Sequence, residues 1–252
     1  MFGHDFFLIA GPCVLEDDTL NLRIGEALAE LSLKLPVVYK ASFDKANRSK
    51  PGAPRGPGLR EGLRQLERVR AATGLPLLTD VHEPAQCLPV AAVCDVLQIP
   101  AFLCRQTDLI TAAALTGCAV NIKKGQWMAP AEMAGAVGKA RRAGATEVAV
   151  TERGTAFGYG NLVVDMRAFA ALRHATEATV VFDATHSSCG ARHVEPLALA
   201  AVAAGADALY LETHPEPTCA PSDGQSMLPL ARLGALMERV LDVRAAVRGS
   251  RA

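Results

Sequence analysis

Short apolar runs alternate along the chain with segments of helical periodicity, and the two patterns repeat from one end to the other. The runs lack the strict apolar–polar alternation of a half-exposed strand, which is typical of parallel strands buried on both faces. The pattern therefore predicts eight parallel strands. They occupy 6–12, 37–43, 76–81, 96–100, 119–124, 147–152, 180–186 and 208–214.

Helical patterns fill the intervals between these runs. The segment 59–69 places leucine and valine at helical spacing, and Gly74 follows as a helix end. The segments 131–143 and 195–204 each stop before a glycine in the same way, and 228–247 predicts a long closing helix. Each predicted helix thus connects one strand to the next.

Strands that alternate with helices, without a linker or a shift in composition, favour an α/β fold of one domain. The chain has 252 residues, half of them apolar, which suits a single (β/α)8 TIM barrel extending over 1–252. A doubly wound open sheet is the alternative that the same pattern permits.

Composition limits the partners that the protein can have. Lys+Arg and Asp+Glu both number 26, and the chain has one Trp, so neither charge nor stacking favours nucleic acid. The apolar run Phe6–Leu15 is too short to span a bilayer and lacks a preceding basic region. Seven scattered cysteines without paired spacing indicate reduced thiols. We expect a cytoplasmic protein without membrane or nucleic-acid partners.

Polar and ionisable residues concentrate at the C-terminal ends of the predicted strands, where TIM barrels carry their active sites. A purely structural barrel has no need for such a rim, so the distribution predicts an enzyme without specifying its reaction. The residues are Cys13, Lys40, Ser42, Asp80, His82, Gln98, Lys123, Lys124, Glu152, Arg153, Asp183, His186, Glu212 and His214.

Three of the rim residues and one acid in the loop after the eighth strand are potential metal ligands. Cys13 follows the first strand, His186 closes the seventh, Glu212 lies near the end of the eighth, and Asp223 comes eleven residues later. A closed barrel makes these strands neighbours, and the donor set suits Zn²⁺, Fe²⁺ or Mn²⁺. From spacing alone, a small core cysteine, a hydrogen-bonding histidine and two loop-capping acids are the more usual roles of such residues.

Cationic side chains follow the second, fifth and sixth predicted strands. Lys40 and Lys123 interrupt apolar runs, where a buried charge requires a partner. Such a group would bind phosphorylated, anionic substrates, although a solvated charged rim is the alternative. The glycine-rich segment 153–161 matches neither the dinucleotide fingerprint nor the Walker A motif. The cations are Lys40, Lys45, Arg48, Arg55, Lys123, Lys124 and Arg153.

The motifs together resemble the 3-deoxy-D-manno-octulosonate 8-phosphate synthase family, from about residue 6 to residue 230. The segment KANRS (45–49) discriminates best, because the related erythrose 4-phosphate synthase of the aromatic pathway typically has a KPRTS-type segment there. The matching motifs are IAGPC (9–13), KASFDKANRS (40–49), RGPGL (55–59), TDVHE (79–83), QIPAFLCRQTDL (98–109), NIKKGQ (121–126), RGTAFGYGNLVVDM (153–166), FDATHS (182–187) and ETHPEP (212–217).

The resemblance implies that phosphoenolpyruvate, D-arabinose 5-phosphate and water condense to the eight-carbon sugar acid phosphate with release of phosphate. It also implies a cytoplasmic homotetramer that serves lipopolysaccharide biosynthesis. Asn47, Arg48 and Ser49 would bind the pentose phosphate, with Arg48 reaching across a subunit interface. The residues implied for phosphoenolpyruvate are Lys40, Ser42, Lys45, Gln98, Ala101, Lys123 and Arg153.

The same resemblance bears on the metal. Metal-dependent members of the family have Cys at the position of Cys13, whereas metal-independent members have Asn. It therefore implies a divalent Zn, Fe or Mn ion bound by Cys13, His186, Glu212 and Asp223, used to orient the aldehyde or to activate water. The residues expected to act at the reacting atoms are Lys45, Lys123, His186 and Asp223.

Two departures from the family pattern concern the substrates. The loop after Ser188 is shorter than the family's glycine-rich loop, which places the covering of the site and the role of Arg192 in question. Lys50 replaces a serine beside the pentose-binding motif. A sister synthase that uses another aldose phosphate, such as erythrose 4-phosphate, and a non-catalytic barrel that binds metal or anions are the alternative functions.

Overall fold

The computed structural model describes residue 2 and residues 6–249 of the chain. Within this part, eight parallel strands form a closed barrel, because the last strand pairs with the first from Phe7 opposite Ala208 to Gly11 opposite Glu212. The strands are β1 (Phe7–Gly11), β2 (Val37–Lys40), β3 (Leu77–Asp80), β4 (Val96–Ile99), β5 (Ala119–Lys123), β6 (Val148–Glu152), β7 (Thr179–Asp183) and β8 (Ala208–His214).

Eight helices of the described part alternate with these strands and cover the barrel. They are α1 (Asp18–Leu31), α2 (Leu59–Thr73), α3 (Pro84–Ala91), α4 (Thr107–Ala114), α5 (Met133–Arg142), α6 (Ala168–Thr176), α7 (Val194–Ala203) and α8 (Leu230–Gly249). The predicted TIM barrel is confirmed, and an open sheet is excluded by the β1–β8 pairing. The extension of one domain over 1–252 stays a prediction, since residues 1, 3–5 and 250–252 lie outside the description.

Local sequence explains where several helices begin and end. Asp17 caps α1 by accepting a hydrogen bond from the Leu20 amide at 2.9 Å. Gly74 ends α2, as predicted, in the left-handed conformation with φ of 68°. The closing helix starts at Leu230 because Leu228–Pro229 first pairs in parallel with the end of β8.

The predicted strand over 180–186 is wrong in its last residues. β7 ends at Asp183, and Ala184–Ser187 forms one turn of helix. The Asp183 side chain accepts a hydrogen bond from the His186 amide at 2.9 Å, which is the capping contact that starts a helical turn. His186 therefore lies one turn beyond the strand and does not close it.

The core has two layers, one inside the barrel and one between the barrel and the helices. Alternate residues of a strand contribute to each layer, as Leu8 packs toward the helices while Phe7 and Ile9 fill the interior. Both faces of every strand are therefore buried, which explains why the apolar runs lack alternation. None of the helices in the described segments combines the length and apolar character needed to cross a membrane.

Candidate active site

The residues that face the barrel interior change from apolar to ionisable toward the C-terminal ends of the strands. Val38 belongs to the interior core and is followed two positions later by Lys40; Ala208 is followed by Tyr210 and then Glu212. Since every second residue of a strand faces the same side, the apolar floor and the polar upper layer belong to one interior surface. This alternation places the ionisable groups inside the mouth of the barrel.

A cavity of about 280 Å³ opens at this mouth. Among the described residues that line it, five Lys or Arg side chains face three carboxylates, so its permanent charges favour anionic ligands. The lining includes every residue predicted to bind substrate. It comprises Lys40, Ser42, Lys45, Ala46, Asn47, Arg48, Ser49, Asp80, His82, Gln98, Pro100, Ala101, Phe102, Lys123, Gln126, Arg153, His186, Tyr210, Glu212, Ser222 and Asp223.

The two lysines that interrupt apolar runs have the partners that burial requires. Lys40 Nζ donates to Glu212 Oε1 at 2.9 Å and to the Cys13 carbonyl at 2.8 Å. Lys123 Nζ donates to Asp183 Oδ2 at 2.7 Å. Both side chains nevertheless line the cavity, so they can contribute to binding an anion that enters it.

A chain of hydrogen bonds connects the second and third strands across the cavity. Lys45 Nζ lies 2.9 Å from Ser42 Oγ, Ser42 Oγ donates to Asp80 Oδ1 at 2.5 Å, and His82 Nε2 lies 3.0 Å from Asp80 Oδ2. Burial would raise the pKa of Asp80, but the hydrogen bond from His82 and the charge of Lys45 hold it well below its ordinary value. Asp80 is therefore an ionised anchor for Ser42 and Lys45.

Asp80 and His82 were not assigned a role from the sequence, although both stood on the predicted rim. Their TDVHE segment carried the signal, because it places an acid at the end of a strand with a histidine two residues later. Tyr210 was missed as well. Its spacing of two from Glu212 on one strand placed both side chains on the same interior face.

Lys123 and Lys124 are adjacent in sequence but have different environments. Lys124 does not line the cavity; its Nζ lies 3.3 Å from the carbonyl oxygens of Gly125, Met128 and Gly154 and 3.6 Å from Glu152 Oε1. It is completely buried and connects the loops that follow β5 and β6. Lys124 therefore supports the loop that begins at Arg153 without facing the substrate cavity.

Three cations predicted for the rim differ in their exposure. Arg153 lines the cavity, and its Nη1 is buried without a hydrogen-bond partner in the described part of the chain. Arg48 also lines the cavity and donates to Ser222 Oγ at 2.7 Å. Arg55 instead pairs with Asp44 on the exterior, its Nε lying 2.8 Å from Asp44 Oδ1.

The potential metal ligands converge at one side of the cavity. Cys13 Sγ lies 3.0 Å from Asp223 Oδ2, and one ligand atom each from Cys13, Glu212 and Asp223 lies within 4.8 Å of the others. His186 is outside that three-membered group, but its Nε2 lies 3.7 Å from Glu212 Oε1 and 3.9 Å from Asp223 Oδ2. The β1–β8 pairing is what brings Cys13 beside Glu212.

Asp183 orients the histidine of this group. Burial would raise the pKa of Asp183, but His186 and Lys123 hold it well below the ordinary value, so it is an ionised acceptor. Asp183 Oδ2 lies 2.8 Å from His186 Nδ1, which must therefore carry the proton. The lone pair of His186 Nε2 is then directed toward Glu212 and Asp223, as a metal-ligating histidine requires.

Two observations show that this group suits a divalent ion. Glu212 Oε2 is buried and has no hydrogen-bond partner among the described residues. Burial and the Glu212 charge raise the pKa of the Cys13 thiol to about 12, and a cation binding there would displace the proton. A thiolate, an imidazole and two carboxylates are ligands for Zn²⁺, Fe²⁺ or Mn²⁺. The residues present therefore fit a metal site.

Arg192, in the loop after Ser188, lies at the surface. Arg192 is exposed, its Nε lies 3.0 Å from His193 Nε2, and it does not line the cavity. The loop instead contacts the glycine-rich segment, where Cys189 Sγ accepts a hydrogen bond from the Leu162 amide at 3.4 Å. In this conformation Arg192 makes no contribution to the candidate site.

Comparison with known proteins shows that most of the chain is similar to one group of enzymes. Residues 2–248 match the family described as the DAHP synthetase I family. A 2-dehydro-3-deoxyphosphooctonate aldolase of Alkalilimnicola ehrlichii is 53% identical, over 96% of this chain and 92% of its own length. Proteins of the same name from Trichlorobacter lovleyi and Acidithiobacillus ferrooxidans are 49% and 51% identical, covering 98% and 93% of this chain and 95% and 88% of their own.

Proposed function

We propose the function of this chain from the premise that it belongs to the DAHP synthetase I family. It is an aldol-type transferase that condenses phosphoenolpyruvate with D-arabinose 5-phosphate and water, giving 3-deoxy-D-manno-octulosonate 8-phosphate and inorganic phosphate. The relatives named 2-dehydro-3-deoxyphosphooctonate aldolase, similar over nearly their full length, support this reaction. The observation that carries it is a cavity whose described lining combines five cationic side chains with a group of potential metal ligands at one side.

Phosphoenolpyruvate binds beside Lys40, Lys123 and Arg153 in this proposal. Its carboxylate and phosphate both require cations, and these three cationic side chains line the cavity. The unpartnered Arg153 Nη1 supports a role in binding an anion. The further contacts are assigned to Ser42, Lys45, Gln98 and Ala101.

The pentose phosphate binds at the loop after β2. Asn47, Arg48 and Ser49 line the cavity there, and Arg48 is held toward it by Ser222. A guanidinium and a hydroxyl are suitable partners for the phosphate, and the amide of Asn47 can hydrogen-bond the sugar hydroxyls. We also propose that Arg48 reaches a second subunit of a homotetramer.

Cys13, His186, Glu212 and Asp223 would hold a divalent metal ion, with Zn, Fe and Mn as the candidates. When bound, the ion supplies a Lewis acid that polarises an oxygen of the pentose aldehyde or of water. The unpartnered Glu212 Oε2 and the buried Cys13 thiol support the assignment.

The chain's own residues position the reactants and stabilise charge. Lys45 and Lys123 hold the phosphoenolpyruvate anion near the aldehyde and balance the charge that grows on phosphate as its C–O bond breaks. The enol carbon attacks the aldehyde and water adds at the adjacent carbon. His186 is not a free base, since Nδ1 carries the proton held by Asp183 and Nε2 faces Glu212 and Asp223.

We place the enzyme in the cytoplasm, in lipopolysaccharide biosynthesis, as the reaction product implies. Neither alternative function is favoured, because the relatives are named 2-dehydro-3-deoxyphosphooctonate aldolase, which supports neither a synthase for another aldose phosphate nor a non-catalytic barrel.

The reaction is tested by phosphate release. Purified protein is incubated with phosphoenolpyruvate, Mn²⁺ or Zn²⁺, and either arabinose 5-phosphate or erythrose 4-phosphate. We expect release with arabinose 5-phosphate, loss of release after exhaustive chelation, and recovery when metal is restored. Release with erythrose 4-phosphate alone would contradict the assigned acceptor, and activity that survives chelation would contradict the metal centre.

A further inference from the structure

Tyr210 lies in the middle of β8 at the floor of the cavity. Its side chain is fully buried, and its hydroxyl donates a hydrogen bond to Glu212 Oε1 at 3.1 Å. The two residues are two positions apart on one strand, so the strand itself keeps both side chains on the interior face. The contact is thus built into the barrel and does not depend on a loop.

The two oxygens of Glu212 have different surroundings. Oε1 accepts hydrogen bonds from Lys40 Nζ at 2.9 Å and from the Tyr210 hydroxyl, and His186 Nε2 lies 3.7 Å from it. Oε2 is buried and, in the described residues, has no partner. A buried carboxylate oxygen without a hydrogen bond is costly unless another group occupies its lone pairs. Oε2 is therefore the oxygen that remains available for a cation.

We propose that Tyr210 is a positioning residue for the proposed metal centre, on which this inference rests. Its hydroxyl and Lys40 both hold Oε1, which fixes the rotation of the carboxylate and leaves Oε2 as the oxygen without a hydrogen bond among the described residues. The Tyr210 side chain has few rotatable bonds and is fixed by the barrel. The Lys40 ammonium is a point charge on a flexible stem, so it orients the carboxylate less strictly by itself. Hydrogen bonds to a ligating carboxylate of this kind tune metal affinity.

The ring and the hydroxyl of Tyr210 have separable roles. Lys123 Nζ lies 3.8 Å from the centre of the ring, so the ring supports a lysine assigned to phosphoenolpyruvate. Tyr210→Phe removes the hydroxyl while retaining the ring and this contact. Tyr39 offers a matched control, because it is equally buried and its hydroxyl has no hydrogen-bond partner in the described part of the chain. Tyr39→Phe therefore removes a buried hydroxyl that does not contact Glu212.

The test is a titration of the metal-free protein with Co²⁺, followed by the near-ultraviolet charge-transfer band of a cobalt–thiolate bond to Cys13. We expect Tyr210→Phe to bind Co²⁺ about 10- to 100-fold more weakly than the unmodified protein, and Tyr39→Phe to bind it equally well. The KM for phosphoenolpyruvate should stay unchanged in Tyr210→Phe, because the phenylalanine ring retains the contact with Lys123. Thermal unfolding of the metal-free proteins reports any general loss of stability.

The outcomes separate this inference from the metal centre itself. If the unmodified protein gives no thiolate band, the metal centre and the role of Tyr210 are both overturned. If it gives the band and Tyr210→Phe binds Co²⁺ with equal or higher affinity, the role of Tyr210 alone is overturned. If Tyr210→Phe binds Co²⁺ more weakly but its metal-free form also melts at a clearly lower temperature than the unmodified metal-free protein, the result counts against a positioning role.

Discussion

Replacing Lys124 with methionine tests how much a buried ion pair contributes to the barrel. Lys124 Nζ is completely buried and lies 3.6 Å from Glu152 Oε1, while Glu152 Oε2 already lacks a partner among the described residues. The variant leaves the Glu152 charge buried with hydrogen bonds from backbone amides alone, that of Gly154 at 2.7 Å among them. Removing one member of a buried pair costs about 3–5 kcal/mol.

The exposed pair of Lys34 and Glu238 gives the matched control. Its atoms lie 2.7 Å apart, closer than the buried pair, but the two side chains are 56% and 62% exposed. An exposed pair contributes only about 0–1 kcal/mol to stability, so Lys34→Met should change the free energy of unfolding little. For a chain of this length the melting temperature falls by roughly 2–4 °C per kcal/mol, so we expect a loss of roughly 6–20 °C in Lys124→Met.

The penalty should also depend on pH. Burial raises the pKa of Glu152, and the charge of Lys124 opposes that shift. In Lys124→Met the pKa of Glu152 should therefore lie higher still. A carboxyl with a raised pKa keeps its proton in the folded state, and stability then falls as pH rises. The loss in Lys124→Met should therefore be larger at about pH 8 than at about pH 5. Urea titration measures the free energy of unfolding at each pH, and thermal unfolding measures the melting temperature. An equal loss of stability in Lys124→Met and Lys34→Met would refute the reasoning.

Three further predictions concern packing and the substrates. Gly62→Ala should destabilise by about 1–3 kcal/mol in urea titration, because a Cβ there would lie 2.4 Å from Phe43 Cβ; Gly234→Ala, with open space, should be neutral or stabilising. Lys123→Met should lower the rate of phosphate release about 100-fold or more, and a smaller effect would argue against its electrostatic role. Arg48→Ala should raise the KM for arabinose 5-phosphate while that for phosphoenolpyruvate changes little, as steady-state kinetics will show.

Much of the fold followed from local sequence. Apolar runs without alternation predicted strands buried on both faces, and the glycine at 74 marked a helix end that the structure retains. The error at 180–186 arose from a local contact: the Asp183 side chain caps the following turn, and apolar periodicity does not report a side-chain hydrogen bond. Most ionisable residues of the candidate cavity were also identifiable, Tyr210 being an exception, because strand ends in a barrel share one rim.

The partners of those residues were decided only by the tertiary structure. Lys40 and Glu212 are 172 positions apart, and Cys13 and Asp223 are 210 positions apart. Their contacts depend on closure of the barrel between β1 and β8 and on the register of that pairing. The hydrogen bond from Tyr210, which distinguishes the two oxygens of Glu212, joins residues two positions apart on one strand and depends on both side chains facing the barrel interior.

The sequence by itself determined the strands, the helices and the kinds of charge at the mouth of the barrel, because these follow from side-chain periodicity within short segments. Which acid neutralises which lysine, and which oxygen of Glu212 stays free, was decided by the closed barrel. A buried charge requires a partner, whereas strand order and register determine which residue lies close enough to be that partner.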